Sequence, residues 1–201
     1  MILFGASGHG KVIIDILELN GVDDIVIWDD NSVTPVWGYE TKKPNITQLS
    51  DEPIIISIGS NENRKKVVER LPAEANYIVA IHPQALLART VNVDNGTAIM
   101  AGVAINPDTT IGKHCIINTN ASVDHDCQIG DYVHISPNVA LCGNVSVGEG
   151  THIGAGSVVI PGKKIGKWCT IGAGTVVIND VPDYATVVGN PGRIIKTSKK
   201  D

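Results

Sequence analysis

Six histidines, at positions 9, 82, 114, 125, 134 and 152, are the side chains best suited to move a proton near neutral pH. One of them stands between two carboxylates, in Ser122-Val123-Asp124-His125-Asp126. Either neighbour would raise the basicity of the ring and could hold one tautomer, so His125 suits general-base work, with Asp124 and Asp126 equally placed to orient it. The plainer alternative is a solvated corner histidine. A second constellation is Gly5-Ala6-Ser7-Gly8-His9-Gly10, whose backbone amides and following helix N-terminus could hold a diphosphate through Gly8, His9 and Gly10. Tight strand-to-helix turns need glycine anyway, so His9 is either a ligand or an ordinary turn residue. Asp29-Asp30-Asn31 could accept hydrogen bonds from a ribose or a pyrimidine edge, or form a solvated acidic loop.

The element that must position His125 is a repeat. Every sixth residue from Val93 to Val177 is Ile, Val or Leu, fifteen positions without a break. Such a series is the mark of a hexapeptide β-helix, in which each repeat is one short strand and a corner with its aliphatic pointing inward. Three repeats close an 18-residue coil, so residues 93–182 make five coils of a triangular prism from which no long loop leaves. Four residues after each aliphatic comes a mostly small or β-branched side chain, as in Thr97, Val103, Thr109, Cys115, Ala121, Cys127 and Ser157, with Lys163 the charged exception. Gly, Asn and Asp supply the corners, where positive φ is required.

Coil arithmetic then places the candidates. Gly143 follows His125 by 18 residues, so it lies beside the ring on the next coil and leaves room for a thioester. His134 follows His125 by nine residues, half a coil, and the two project from opposite sides of the prism. Asn118 precedes His134 by 16 residues and shares its side. If all three serve one reaction, His125 of one subunit must meet Asn118 and His134 of another.

Residues 1–82 read as a small Rossmann-like α/β unit and 83–201 as the β-helix with a short tail. Strands are expected at Met1–Gly5, Asp24–Trp28, Ile54–Ile58 and Tyr77–Ile81, with helices at Lys11–Asn20 and Glu62–Leu71, an alternation that indicates a parallel sheet. About 80 residues supply only one half of a dinucleotide-binding fold, so a mononucleotide such as a nucleotide-sugar fits better than NAD.

The Gly-Ala-Ser-Gly-His-Gly turn, the segment Ile58-Gly59-Ser60-Asn61-Glu62-Asn63-Arg64-Lys65-Lys66, the hexapeptide series and the terminal Val188-Gly189-Asn190-Pro191-Gly192-Arg193 occur in an order that spans nearly the whole chain. Together they resemble the bacterial sugar acyltransferases related to sialic-acid O-acetyltransferases, especially the N-acetyltransferases of nucleotide-linked 4-amino sugars. The resemblance implies a left-handed β-helix, an exception to the usual right-handed crossover, and a homotrimer with three clefts. It implies that the N-terminal unit holds a nucleotide-sugar, a UDP-linked 4-amino-4,6-dideoxy sugar, at Gly8, His9, Gly10, Asp29 and Asp30. It also implies that acetyl-CoA is the co-substrate and that His125 is the catalytic base, with Asp124 and Asp126 where related enzymes carry Glu. Asn118 and His134 match positions near the acetyl group, where a donor could stabilise an oxyanion. O-acetylation of a sialic-acid-like sugar is the alternative.

Residues 163–201 carry seven basic side chains, Lys163, Lys164, Lys167, Arg193, Lys196, Lys199 and Lys200, against three aspartates, and Lys163 and Arg193 are the expected phosphate contacts of acetyl-CoA. Lys199 and Lys200 fit a solvated tail equally well. Over the whole chain of 201 residues, 16 basic against 21 acidic side chains argue against a nucleic-acid partner. The apolar runs are far short of the roughly 20 residues of a membrane span, and the first residues do not read as a leader, so a cytoplasmic protein is expected. Cys115, Cys127, Cys142 and Cys169 form no CxxC pair and none are 18 apart, which suggests neither a zinc knuckle nor adjacent-coil disulfides. No metal is expected. A more distant rival is a zinc-dependent, carbonic-anhydrase-like enzyme drawing ligands from His114, His125, His134 and His152, since His134 and His152 would stack on successive coils. A non-enzymatic scaffold would leave the Gly-rich turn and the Asp-His-Asp corner without a role.

Overall fold

The computed structural model describes residues 1–49 and 51–198. The N-terminal unit is built on strands β1 (Ile2–Phe4), β2 (Val26–Trp28), β3 (Thr41–Lys42) and β4 (Ile54–Ile56), with helices α1 (Gly8–Leu19) and α2 (Asn61–Arg70). The sheet is wholly parallel, in the order β3-β2-β1-β4. β1 and β4 are uninterrupted apolar triplets buried throughout, as strands covered on both faces must be. Helix α1 turns Ile13, Ile14, Ile16 and Leu17 into a core shared with Leu3, Ile27 and Ile55, while Val12 and Leu19 face out.

The expected strand at Tyr77–Ile81 does not belong to this sheet. Tyr77 makes only an isolated bridge to Ile54, and Ala80–Ile81 pairs with Ala98–Ile99 as the first rung of the solenoid. The sheet instead takes β3, whose Thr-Lys pair lacks an apolar pattern. Helix α1 also begins earlier than Lys11, so Gly8, His9 and Gly10 form its first turn and Ser7 occupies its N-cap position. Glycine is obligatory at two points here: Gly5 has φ 124°, and a Cβ on Gly10 would lie 2.5 Å from the Gly5 carbonyl.

Seventeen two-residue strands follow at six-residue intervals, from Ala80–Ile81 to Val176–Val177, in three parallel sheets. The register is 18 residues throughout, as in Ile99, Ile117, Ile135 and Ile153, and these side chains fill the prism interior. Ile81 and Leu87 extend the aliphatic series two steps before Val93 and pack against the same core. Corner residues take positive φ, whether glycine (Gly96, Gly150) or not (His114, Asn120, Asp126, Tyr132, Trp168).

Small polar side chains behind the corners lace successive coils together. The Thr109 hydroxyl donates to the Asp124 carbonyl at 2.7 Å and accepts from the Cys127 amide at 3.1 Å. Thr97 does the same toward Gly112 and Cys115, and Thr151 toward Gly166 and Cys169. The chain finishes with Ala185–Val188, parallel to Thr170–Ile171, and Arg193–Thr197, which folds back antiparallel.

The N-terminal unit sits on one face of the prism. Outward-facing Ala80, Ala98 and Ile116 join Met100 in the core formed by α1. Helix α2 docks beside it: the Asn61 amide donates to the Gly150 carbonyl at 3.0 Å, and Lys65 pairs with Glu149.

Candidate active site

His125 stands at an exposed corner between the strands Ser122–Val123 and Gln128–Ile129. Its neighbour Asp126 adopts φ 59°, and this left-handed turn brings the Asp126 carboxylate within 2.7 Å of His125 Nδ1. Asp124 does not reach the ring. Its Oδ1 accepts the His125 backbone amide at 2.9 Å and the Asn106 side-chain amide at 2.7 Å. Asp126 is therefore the carboxylate that orients the imidazole. Its hydrogen bond, with the Asp124 charge behind it, raises the His125 pKa above the ordinary value, while the bonds from Asn106 and the His125 amide lower that of Asp124. With Nδ1–H given to Asp126, Nε2 carries the free lone pair. It lies across Gly143, where a Cβ would stand 2.7 Å from it, so only glycine at 143 leaves the ring its place.

His134 and Asn118 lie together on the sheet opposite that corner. The Asn118 Oδ1 accepts from the Thr119 amide at 2.8 Å, which turns its Nδ2 toward His134 Nε2 at 3.1 Å. That contact makes Nε2 the acceptor and puts the proton of the neutral ring on Nδ1. His134 stacks on His152, with centroids 4.8 Å apart, and His152 Nε2 meets the Ser136 hydroxyl at 2.8 Å. Burial, followed by His152, Arg64 and His9, drives the His134 pKa down to about 3, against the opposing pull of the Gly59 carbonyl. A cleft of about 530 Å³ separates His134 and His152 from Gly59 to Glu62, with Trp168 and Thr170 as its far wall. Within one chain, then, Asn118 and His134 are together and His125 is apart from both.

A second cleft, of about 370 Å³, opens where the strands of the N-terminal sheet end, between Gly5, Ser7, Asp29, Asp30 and Asn31 on one side and Gly59, Asn63, Lys66 and Arg70 on the other. Asp29 braces this cleft: Oδ2 accepts from the Ala6 amide at 2.8 Å, and Oδ1 from the Asn31 and Ser32 amides at 2.7 and 2.8 Å. Burial acts to raise the Asp29 pKa, but these bonds outweigh it and leave the carboxyl below its usual value. Asp30 is paired with Arg70 at 2.8 Å. Gly8 has open space about it, whereas Gly10 packs under Gly5. His9 turns inward, its Nε2 without a hydrogen bond, and burial followed by the Arg64 charge lowers its pKa to about 4.

Arg193 borders a groove of about 300 Å³ at the C-terminal end, with Val177, Asp180 and Ile194, and Lys163 does not line it. Lys199 and Lys200 lie outside the described residues. All four cysteines are free thiols, and no group of three or more His, Cys, Asp or Glu side chains among the described residues is arranged to hold a metal ion. No helix among them is long and apolar enough to cross a membrane. Sequence reasoning passed over Lys66 and Arg70 as cleft-lining cations and Arg64 as a buried one. For Arg64 and Lys66 the available signal was the Ser-Asn-Glu-Asn-Arg-Lys-Lys run, and Arg70 lies beyond it.

Residues 1–71 match the family of PglD N-terminal domains, and residues 99–199 match the GMPPB C-terminal domain. A perosamine N-acetyltransferase from Caulobacter crescentus, solved with CoA and GDP-perosamine, is 37% identical, aligns over 100% of this chain and 96% of its own, and superposes with a TM-score of 0.91. The acetyltransferase domain of PglB from Neisseria gonorrhoeae, solved with acetyl coenzyme A, is 34% identical over 96% of this chain and 98% of its own, with a TM-score of 0.93. The UDP-N-acetylbacillosamine N-acetyltransferase of Bacillus subtilis is 42% identical over 108 residues, 49% of this chain and 50% of that protein, so the chain spans about half the length of this curated relative. A two-part chain of parallel sheet and hexapeptide prism, matched end to end by such enzymes, belongs to the hexapeptide-repeat N-acetyltransferases of nucleotide-linked amino sugars.

Proposed function

We propose that the protein transfers the acetyl group of acetyl-CoA to the amine of a nucleotide-linked amino sugar. The observation that carries this reading is the Asp126-His125 pair, with a free Nε2 lying over Gly143. Nε2 accepts a proton from the sugar amine as the nitrogen attacks the thioester carbonyl, and the developing charge on His125 is balanced by Asp126. Collapse of the tetrahedral intermediate breaks the carbon–sulfur bond, and the imidazolium returns its proton to the departing CoA thiolate. The nucleotide lies in the cleft of Asp29, Asp30, Lys66 and Arg70, whose cations suit its diphosphate, beside exposed Gly8 at the start of α1, where His9, its ring turned inward, offers its backbone amide. Arg193, with Lys163 along the prism, serves the phosphates of CoA. The nucleotide is UDP in this reading. The curated relative is named for a UDP-linked sugar and the Caulobacter enzyme was solved with a GDP-linked one, so both must be tested.

Because His125 and the Asn118-His134 pair occupy opposite sides of the prism, the site forms between subunits of a homotrimer. The test measures CoA release with UDP-, GDP- and CMP-linked amino sugars. His125→Ala should lose about 10²- to 10⁴-fold in turnover, the usual worth of a general base. Mixed assemblies of His125→Ala and Asn118→Ala chains should regain activity, because some interfaces then pair two intact halves. A His125→Ala enzyme with normal turnover, or mixtures no more active than their parents, would sink the reading.

A further inference from the structure

Among the described residues Arg64 is the largest fully buried side chain, 1% exposed, and no carboxylate lies within ion-pair distance of it. Its guanidinium is satisfied by neutral groups alone. Nε donates to the His114 carbonyl at 2.7 Å, Nη2 to the Tyr132 carbonyl at 2.9 Å and to Asn61 Oδ1 at 2.8 Å, and Nη1 to the carbonyls of Ile58 at 2.8 Å and Gly59 at 3.3 Å. His114 and Tyr132 are stacked corners of the prism, whereas Ile58 and Gly59 form the turn leading into α2. One rigid fork therefore ties that turn to two successive coils.

The turn has two faces. Gly59 borders both the Asp29-Asp30 cleft and the His134-His152 cleft. We infer that Arg64 is a positioning residue, holding the Gly59 wall between the two clefts at one fixed distance from His134. For catalysis this rests on the proposed acyl transfer, in which the nucleotide occupies the first cleft and the reacting groups approach Asn118 and His134. A lysine in its place would keep the charge but could not span the carbonyls on both sides. The unpaired charge has a second consequence, because it acts on His9, His114, His134 and His152, and each of these rings is held below its ordinary pKa by burial first. A neutral His134 is what the Asn118 amide requires of its acceptor.

Three variants of the full chain separate these effects. Ring ¹⁵N spectra of His134, assigned through His134→Gln, read the site without any substrate. In Arg64→Gln the His134 midpoint should rise, because the Arg64 charge that helps hold the ring neutral is gone while burial and His152 remain. In Arg64→Lys the midpoint should stay low while the ring shifts report a displaced Gly59, and turnover should fall about 10- to 100-fold, as for a slight misplacement of reacting groups. Glu149→Gln, which removes the separate ion pair of α2 with Lys65, should lower the melting temperature slightly and leave turnover within about twofold, since Glu149 lines neither cleft and Lys65 keeps its place over Trp168. Unchanged His134 resonances in both Arg64 variants overturn the inference. So does an Arg64→Lys enzyme that loses no more turnover than Glu149→Gln at equal loss of melting temperature. Should Arg64→Gln fail to fold, the Arg64→Lys shifts decide. A wild-type protein that acetylates none of the nucleotide sugars defeats the transfer reading alone, and the spectra still judge Arg64.

Discussion

The basicity of His125 is a local matter, set by one carboxylate on the adjacent residue. Asp126 can reach Nδ1 because its own backbone sits at φ 59°, a conformation that Asn tolerates about as well as Asp. Asp126→Asn should therefore keep the corner intact while removing the charge. The His125 pKa then falls toward its unperturbed value, so the acidic limb of the kcat/KM profile should move to lower pH as the plateau rate drops, because a weaker base is less able to take the proton. The shift of that limb, measured from pH 5 to 9, checks the assignment. An unmoved limb would mean that some other group controls the profile. Asp124, whose oxygen is already committed to Asn106 and the His125 amide, acts on the backbone that presents the ring.

At the scale of the element, the hexapeptide coil is held by two devices: aliphatics inside, and hydroxyls stitching one coil to the next. Each of Cys115, Cys127 and Cys169 follows by 18 residues a threonine whose hydroxyl accepts its amide. Thr109→Val keeps the shape of the side chain but strands the Cys127 amide and the Asp124 carbonyl, so stability should fall by about 1–3 kcal/mol. Thr109→Ser should recover most of it. Urea unfolding of the two variants measures the difference, and equal losses in both would show that packing, not the hydroxyl, matters there. The aliphatic ladder and the positive-φ corners were legible because a period of six residues imposes them locally. This pairing of threonine with cysteine was present in the sequence too, but the carbonyl that accepts from each hydroxyl and the amide that donates to it, 15 and 18 residues on, become evident only when the coils are stacked.

For the molecule as a whole, the α/β unit and the prism meet over a face rich in buried imidazoles. His9 and His114 are held near a pKa of about 4 and His134 near about 3, by burial first and then by charges that include Arg64. These folded values lie below the ordinary value of 6.5, so the neutral rings favour folding fully above about pH 6.5, and that contribution is lost as pH falls toward 4. Each ring can add a slope of up to about 1.4 kcal/mol per pH unit. Exposed His125, with a raised pKa, works in the opposite direction through a single solvated group. Urea midpoints should therefore fall steadily from pH 7 to 5, before the carboxylates titrate. A flat profile over that window would show that the interface tolerates protonated histidines.

The sequence by itself determined the prism, the inward and outward residues, and the separation of His125 from His134, because all three follow from one short period repeated without interruption. Long-range pairing decided the rest. The run Tyr77-Ile78-Val79-Ala80-Ile81 suits either sheet by its apolar character, and only the free edge beside Ala98–Ile99 assigned its last two residues to the solenoid. Two aspartates flank His125 symmetrically in the chain, and the left-handed turn at Asp126 chose between them. Arg64 looks like any surface cation in a charged helix until the prism covers it. Its partners are carbonyls as many as 68 residues away, and a backbone carbonyl carries no signature in a sequence.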